Sequence, residues 1–305
     1  MLKVKIPPLK IQGIKSKLVP SITHLALPNI DKNTTWVEPF MGSGVVGFNM
    51  SPQKVIFADT NKDIITFYQS IQQGTITPQI VYDYLQKETL LLACQGESYY
   101  KLKREQFNEE RNPLDFLFLN RSCFNGMMRY NSKGKFNVPY CHKNERFSKA
   151  YITKITNQIN WVYQLIYKNY HYTFLCADFR EALINLPNNH FIYADPPYID
   201  RYNDYYNNWA EQDELDLHKL LSKTSKFLLS TWHSNRYRTN TYIDNLWQNF
   251  NLTTTEHFYH LGAKEINRVA INEALIYNFT NDTQIEKKLI ELPKIEQPLL
   301  FSKVG

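Results

Sequence analysis

The spacing of apolar and polar positions divides the chain into three stretches. In the first, residues 34–40 ("TTWVEPF") and 54–61 ("KVIFADTN") read as short strands rich in β-branched and aromatic residues, the second carrying Asp59 at its end. Between them, residues 41–50 ("MGSGVVGFNM") read as a tight turn that opens a helix. Residues 63–74 ("DIITFYQSIQQG") place apolar side chains at helical spacing and close on Gly74, a residue suited to the end of a helix.

From about Thr75 to Tyr170 strand signals nearly vanish. Residues 76–93, 98–110 and 148–169 read as helices. Between the last two lies "RSCFNGMMRYNSKGKFNVPYCHKNERF", a basic and aromatic stretch punctuated by Gly126, Asn131, Gly134 and Pro139, which reads as a loop or hairpin projecting from a helical module. After Tyr170 strands and helices alternate again. "YTFLCAD", "HFIYADPPY", "KFLLSTW", "LTTTEHFYH" and "EALIYNF" are the strand candidates, and "EQDELDLHKLLSKT" the helix. The economical architecture is an α/β fold, a mostly parallel Rossmann-like sheet interrupted by a mainly helical insertion. Residues 1–61 and 170–285 would form the sheet domain, 62–169 the insertion, and 286–305 a polar, proline-broken tail.

Composition narrows the classes. A chain of 305 residues can bury a full core, and 43% hydrophobic with 21% charged residues is ordinary for a globular protein. A net charge of +6 leans toward an anionic partner, and 14% aromatic residues serve core packing or base stacking equally well. The four cysteines form no CxxC pair and match no histidine cluster, which disfavours zinc and a disulfide framework; no metal is expected. No apolar run approaches the ~20 residues of a membrane span, so no membrane partner and a cytoplasmic location are expected.

Two features carry chemistry. "GSGVVG", from Gly42 to Gly47, follows a strand and opens a helix, and Asp59 ends the next strand. Glycines there let the backbone approach a ligand, and an acid at the second strand tip accepts hydrogen bonds from ribose hydroxyls. That logic serves NAD and S-adenosylmethionine alike. The second feature is "FIYADPPYID", where a buried strand runs directly into Asp195, Pro196, Pro197 and Tyr198. Each proline fixes its own φ and restricts the residue before it, so the corner is a stiff platform bearing a carboxylate, carbonyls and a ring. If Asp195 and the Pro196 carbonyl accept the two hydrogens of an exocyclic amine, its lone pair can be turned toward an electrophilic methyl. Tyr198 would then stack on a base extruded from its helix. A sulfonium methyl donor fits this corner better than a nicotinamide.

With these motifs in this order the chain resembles the Dam-type DNA adenine-N6 methyltransferases. "EPFMGSG" matches their cofactor loop, "ADTN" the ribose-binding acid, "FNGMMRYNSKGKFNVPY" the recognition hairpin, "DPPY" the catalytic corner and "RVAINEALIYNF" the closing strand. The resemblance implies cofactor contacts at Ile11, Lys15, Glu38, Phe40, Gly42, Gly44, Asp59, Asp178 and Asp195, with Asp195, Pro196, Pro197 and Tyr198 catalytic. It implies DNA contacts at Lys10, Asn125, Arg129, Asn131 and Pro139, with Arg129 the leading reader of a guanine edge. The amino-terminal motif, commonly like L-K-W-A-G-G-K, is here "LKIQGIK", so Ile11 stands where an aromatic ring is usual. The expected function is methyl transfer from S-adenosylmethionine to adenine N6 in duplex DNA, at GATC or a related short site, by base flipping. A restriction endonuclease acting on the same site is a candidate partner. The alternatives are methylation of cytosine N4 or RNA adenine and, more distantly, an NAD-dependent oxidoreductase.

Overall fold

A computed structural model of the chain describes residues 3–168, 171–199, 209–258 and 270–280. Among the described residues seven strands make one sheet: β1 (Thr35–Glu38), β2 (Lys54–Asp59), β3 (His171–Cys176), β4 (His190–Ala194), β5 (Phe227–Asn235), β6 (Asn251–Phe258) and β7 (Ala270–Tyr277). Their spatial order is β3-β2-β1-β4-β5-β7-β6. The first five run parallel, and β7 is antiparallel to both β5 and β6. This is the expected mostly parallel α/β sheet. All four residues of β1 are buried, as a central strand covered on both faces requires.

The chain leaves β1 for β2 on one side and later returns to lay β4 on the other. That reversal opens a crevice outside the carboxyl ends of β1 and β4, the position where ligands sit in open α/β sheets.

The glycine turn leads into α2 (Val45–Met50) through Gly44, whose φ of +68° is left-handed. A side chain there would also strike the Phe48 ring, so glycine is required twice over. Next comes α3 (Lys62–Gln72), capped by the Asn61 side chain, which accepts from the Asp63 and Ile64 amides. Gly74, with φ +76°, follows its end as the sequence predicts. Gln69 and Gln72 of α3 donate to the Phe174 and Tyr172 carbonyls of β3 at 2.9 and 2.6 Å.

The helical stretch contains α4 (Pro78–Gln95), α5 (Glu97–Glu110), α6 (Pro113–Ser122) and α7 (Lys149–Lys168). The periodicity of the sequence marks α4, α5 and α7 but misses α6, whose residues from Asp115 to Ser122 are all buried. A helix covered on every side has no polar stripe to betray its period. Two further helices are also absent from the sequence reading, α1 (Val19–Ala26) and the one-turn α8 (Phe179–Ala182), while α9 (Glu211–Leu221) was expected. Inside the helical stretch, Lys103 of α5 lies 2.5 Å from Asp115 of α6 and 3.5 Å from Glu88 of α4, all three buried. One continuous apolar core runs from Trp36, Phe57 and Phe191 of the sheet to Phe107, Phe116 and Phe118 of the helices.

Candidate active site

Four parallel strands deliver side chains to the carboxyl rim of the sheet. At the centre β1 ends on Glu38, a buried carboxyl that accepts the Trp36 indole hydrogen at 2.8 Å. Burial pushes this acid up to about 8, aided by the charge of Asp195 and opposed by its bonds from Trp36 and the Gly47 amide. Asp59, at the end of β2, accepts the Gly42 amide at 2.8 Å and the Asn61 amide at 2.8 Å. Burial raises its pKa against those two bonds. The carboxylate therefore bridges the glycine turn and the start of α3. Tyr68 of α3 braces the same turn, its hydroxyl donating to the Ser43 carbonyl at 2.8 Å.

Gly42 has a φ of +49°, and a Cβ placed on it would meet only Ile11, at 4.0 Å. Ile11, the residue at the unusual position of the amino-terminal motif, thus faces the glycine turn across a narrow gap.

Beyond β4 the corner is built as a polar cluster. Lys15, almost wholly buried, sets its ammonium 2.9 Å from Asp195 Oδ1 and 4.7 Å from the centre of the Tyr198 ring, and donates to the Gly13 carbonyl at 3.2 Å. Ser230 of β5 donates to the same Oδ1 at 2.8 Å and shares a 3.0 Å bond with the Tyr193 hydroxyl. Burial raises the Asp195 pKa; Lys15 and Ser230 pull it back down, and Glu273 adds a small upward push. The Tyr198 hydroxyl donates to Glu273 of β7, a fully buried carboxylate.

Ser230, Tyr193 and Glu273 are absent from the sequence reading. The available signal was a polar residue carried into an otherwise apolar strand: Ser230 in "FLLSTW" and Glu273 in "NEALIY". Only strand pairing reveals that both point at the corner.

At the far side of the crevice Asp178 caps α8 by accepting the Arg180 amide at 2.9 Å, and it pairs with the Arg180 guanidinium at 3.3 Å. Arg180 also holds Asp213 and Asp216 of α9, each at 2.7 Å. Phe40 packs on Phe179 and Trp209, with ring centres 5.4 and 5.5 Å away. Lys15, Glu38, Phe40, Gly42, Gly44, Asp59, Asp178 and Asp195 thus share one rim.

Four of the residues expected at DNA, Asn125, Arg129, Asn131 and Pro139, lie on a separate hairpin. Tyr130 pairs with Phe136 across it, and Asn131 Oδ1 accepts the Lys133 and Lys135 amides at 2.9 and 3.0 Å, fastening the turn. Arg129 donates from Nε to Asn137 Oδ1 at 3.1 Å. Asn125 is exposed with φ +54°, and Pro139 is exposed while its carbonyl accepts the Phe124 amide. The hairpin is bolted down by Asp63 of α3, which accepts the Tyr130 hydroxyl at 2.8 Å and Arg111 at 3.0 Å.

Lys10 is clamped at the hairpin base, its backbone exchanging two hydrogen bonds with the Asn120 amide group at 2.8 and 2.7 Å. Its side chain lies against Gly126, where any Cβ would collide with it. Beside it, Arg121 donates to the Tyr151 hydroxyl at 3.2 Å, and Arg146 stacks on the Tyr151 ring. Burial lowers the Lys10 pKa; burial alone would raise that of Tyr151, but Arg121, Lys10 and Arg146 outweigh it.

Sheet order, crevice and glycine turn define a doubly wound α/β protein with an elaborated strand-end site. The chain belongs to the D12 class N6 adenine-specific DNA methyltransferases, whose family model matches residues 12–261. It is 32% identical over 196 residues to a DNA adenine methylase of Serratia marcescens, covering 62% of this chain and 66% of that one. It is 28% identical over 288 residues to the type II methyltransferase M.FokI of Planomicrobium okeanokoites, covering 91% of this chain and 43% of the relative. The chain thus spans somewhat under two thirds of the first relative and under half of the second. A putative RNA methyltransferase from Pyrococcus horikoshii superposes over 86% of this chain and 80% of its own, with 9% identity and a TM-score of 0.38, too slight a likeness to carry an argument.

Proposed function

We propose that this protein methylates adenine N6 in duplex DNA, using S-adenosylmethionine, at a short specific site. The observation that carries the reading is the Asp195 corner. Lys15 and Ser230 both engage Oδ1, which leaves Oδ2 as the oxygen for an incoming amine. The ammonium beside it works against burial to keep Asp195 ionised, so it acts as an acceptor aimed at the positive charge that develops on nitrogen. The Pro196 carbonyl would take the second amine hydrogen. Tyr198, held by Glu273 and carrying Lys15 over one face, would stack the flipped base on the other.

The residues present suit the cofactor. The open side of Gly42 forms a cradle, Asp59 is fixed beside it, and Phe40 and Asp178 line the far wall. When bound, the cofactor supplies an electrophilic methyl on a sulfonium. Asp59 would hold the ribose and Lys15 would fix the carboxylate that faces the reacting nitrogen. The helical stretch, residues 62–169, would be the recognition module. Arg129 would read a base, and Lys10, Asn125, Asn131 and Pro139 would lie along the duplex. The relatives named DNA adenine methylase support adenine in DNA over cytosine N4 or RNA. We include a restriction endonuclease acting on the same site as partner, testable by protection of modified DNA from cleavage. Among the described residues no helix is long and apolar enough to cross a membrane; a cytoplasmic location is part of the proposal.

The deciding experiment is transfer of labelled methyl groups to defined duplexes followed by nucleoside analysis. N6-methyladenine is expected, and Asp195→Ala should abolish it while leaving the circular dichroism spectrum intact. N4-methylcytosine as the product would overturn the reading.

A further inference from the structure

Strand β5 is longer than the corner beside it needs. Its Leu229 pairs with Ala194, the last residue of β4, yet β5 continues to Asn235, still hydrogen-bonded to β7. Those six additional residues carry the strand about 20 Å past the level of Ala194, at roughly 3.3 Å per residue. They end in a tight reversal. Asn235 and Arg238 are joined by a 2.9 Å backbone bond, and the Asn235 side chain accepts the Tyr237 and Arg238 amides at 2.9 and 3.1 Å. Asn240, buried, donates to the Trp232 carbonyl at 2.9 Å and closes the loop from below.

This fastened turn presents Arg236, Tyr237 and Arg238 to solvent, with Tyr237 75% exposed. Arg238 stacks its guanidinium on Trp232 at 5.2 Å, and the Trp232 indole donates to the Ile199 carbonyl, one residue past the Asp195–Tyr198 corner. No acid occurs between Leu217 and Ile243. Two guanidiniums and a ring are therefore held, with no acid in the flanking stretch of sequence, on the rim from which a base would enter the site.

We propose that the Arg236–Tyr237–Arg238 tip is a second DNA contact, separate from the recognition hairpin, gripping the sugar-phosphate backbone beside the target adenine. The inference rests on the proposed DNA methylation. Phosphate is the fitting ligand because arginine offers it paired donors, and a loop reaching past the site meets the backbone before it meets a base edge. The contact adds affinity without sequence preference and fixes the strand from which the base is drawn.

The test is binding of a short mixed-sequence duplex over a range of salt concentrations. Each phosphate contact contributes about 0.9 to the slope of log affinity against log salt. The double variant Arg236→Gln/Arg238→Gln should therefore lose about 1.8 from the slope and bind at least tenfold more weakly at low salt, with S-adenosylmethionine affinity unchanged. A control, Lys219→Gln/Lys223→Gln, removes two exposed charges from the end of α9, which leads into the opposite rim of the sheet. It should leave the slope as in wild type. If wild type binds the duplex and the tip variant keeps its slope, or both variants lose equally, the contact is refuted and the proposed activity stands. If wild type binds no duplex, both fall.

Discussion

Replacing Glu38 with glutamine should flatten the pH dependence of stability. In the fold this carboxyl is buried and titrates near 8, against 4.5 for an ordinary glutamic acid. Between those values the unfolded chain has released the proton and the folded chain still holds it. Stability therefore falls as pH rises through that window and levels off above it. At about 1.4 kcal/mol for each tenfold in proton affinity, the full fall is about 5 kcal/mol, an upper bound because water and backbone movement around an ionised carboxylate recover part of it. The variant keeps an oxygen to accept from Trp36, but its amide hydrogens need partners in a site built for one hydroxyl, at a cost of about 1 kcal/mol. It should thus be slightly less stable than wild type at pH 5 and clearly more stable at pH 8. Urea titrations at pH 5, 6, 7 and 8 read this directly as midpoints, provided the m-value is unchanged. Asp59 and Asp195, also raised, leave a residual slope in both proteins. Parallel curves for wild type and variant would refute the assignment of a neutral, buried Glu38.

Three further outcomes are expected. Gly47→Ala should destabilise by about 1–3 kcal/mol in thermal unfolding, since its Cβ would sit 2.7 Å from the Phe57 ring and 2.8 Å from Glu38 Oε1, outweighing the gain of about 0.5–1 kcal/mol from helix propensity. Tyr198→Phe and Glu273→Leu should each lower kcat for the proposed methyl transfer about tenfold, and the double variant no further, because both remove the same bond; additive losses in this cycle would show that Glu273 does not act through Tyr198. Lys103→Met should cost about 3–5 kcal/mol by denaturant titration, because Glu88 and Asp115 stay buried without their shared cation.

The parts of the site legible in the sequence are those written in consecutive residues. The glycine turn, the acid ending β2 and the Asp195–Tyr198 corner each state their geometry locally, through glycine's access to positive φ and proline's fixed φ. What could not be read depends on which strands become neighbours. Ser230 and Glu273 acquire meaning only once β5 lies beside β4, and β7 beside β5. Helix α6 escaped because burial on all sides erases its periodicity. Side-chain commitments were equally invisible: Asn131 fastens its own turn, and Arg129 meets Asn137 across the hairpin.

Helix α3 is a shared foundation. Asp63 in its first turn anchors the hairpin, Tyr68 at its middle props the glycine turn, and Gln72 at its end is tied to β3. Eleven residues, about 16 Å of helix, thus set where the proposed reading head stands relative to the proposed catalytic corner. If the hairpin reads DNA as proposed, sequence preference can drift by exchanging its outward residues while Tyr130 and its anchor on Asp63 keep the register. A change at Asp63 itself would loosen the hairpin from the helix that props the glycine turn, so the proposed target choice would be free to evolve at the tips and constrained at the footing.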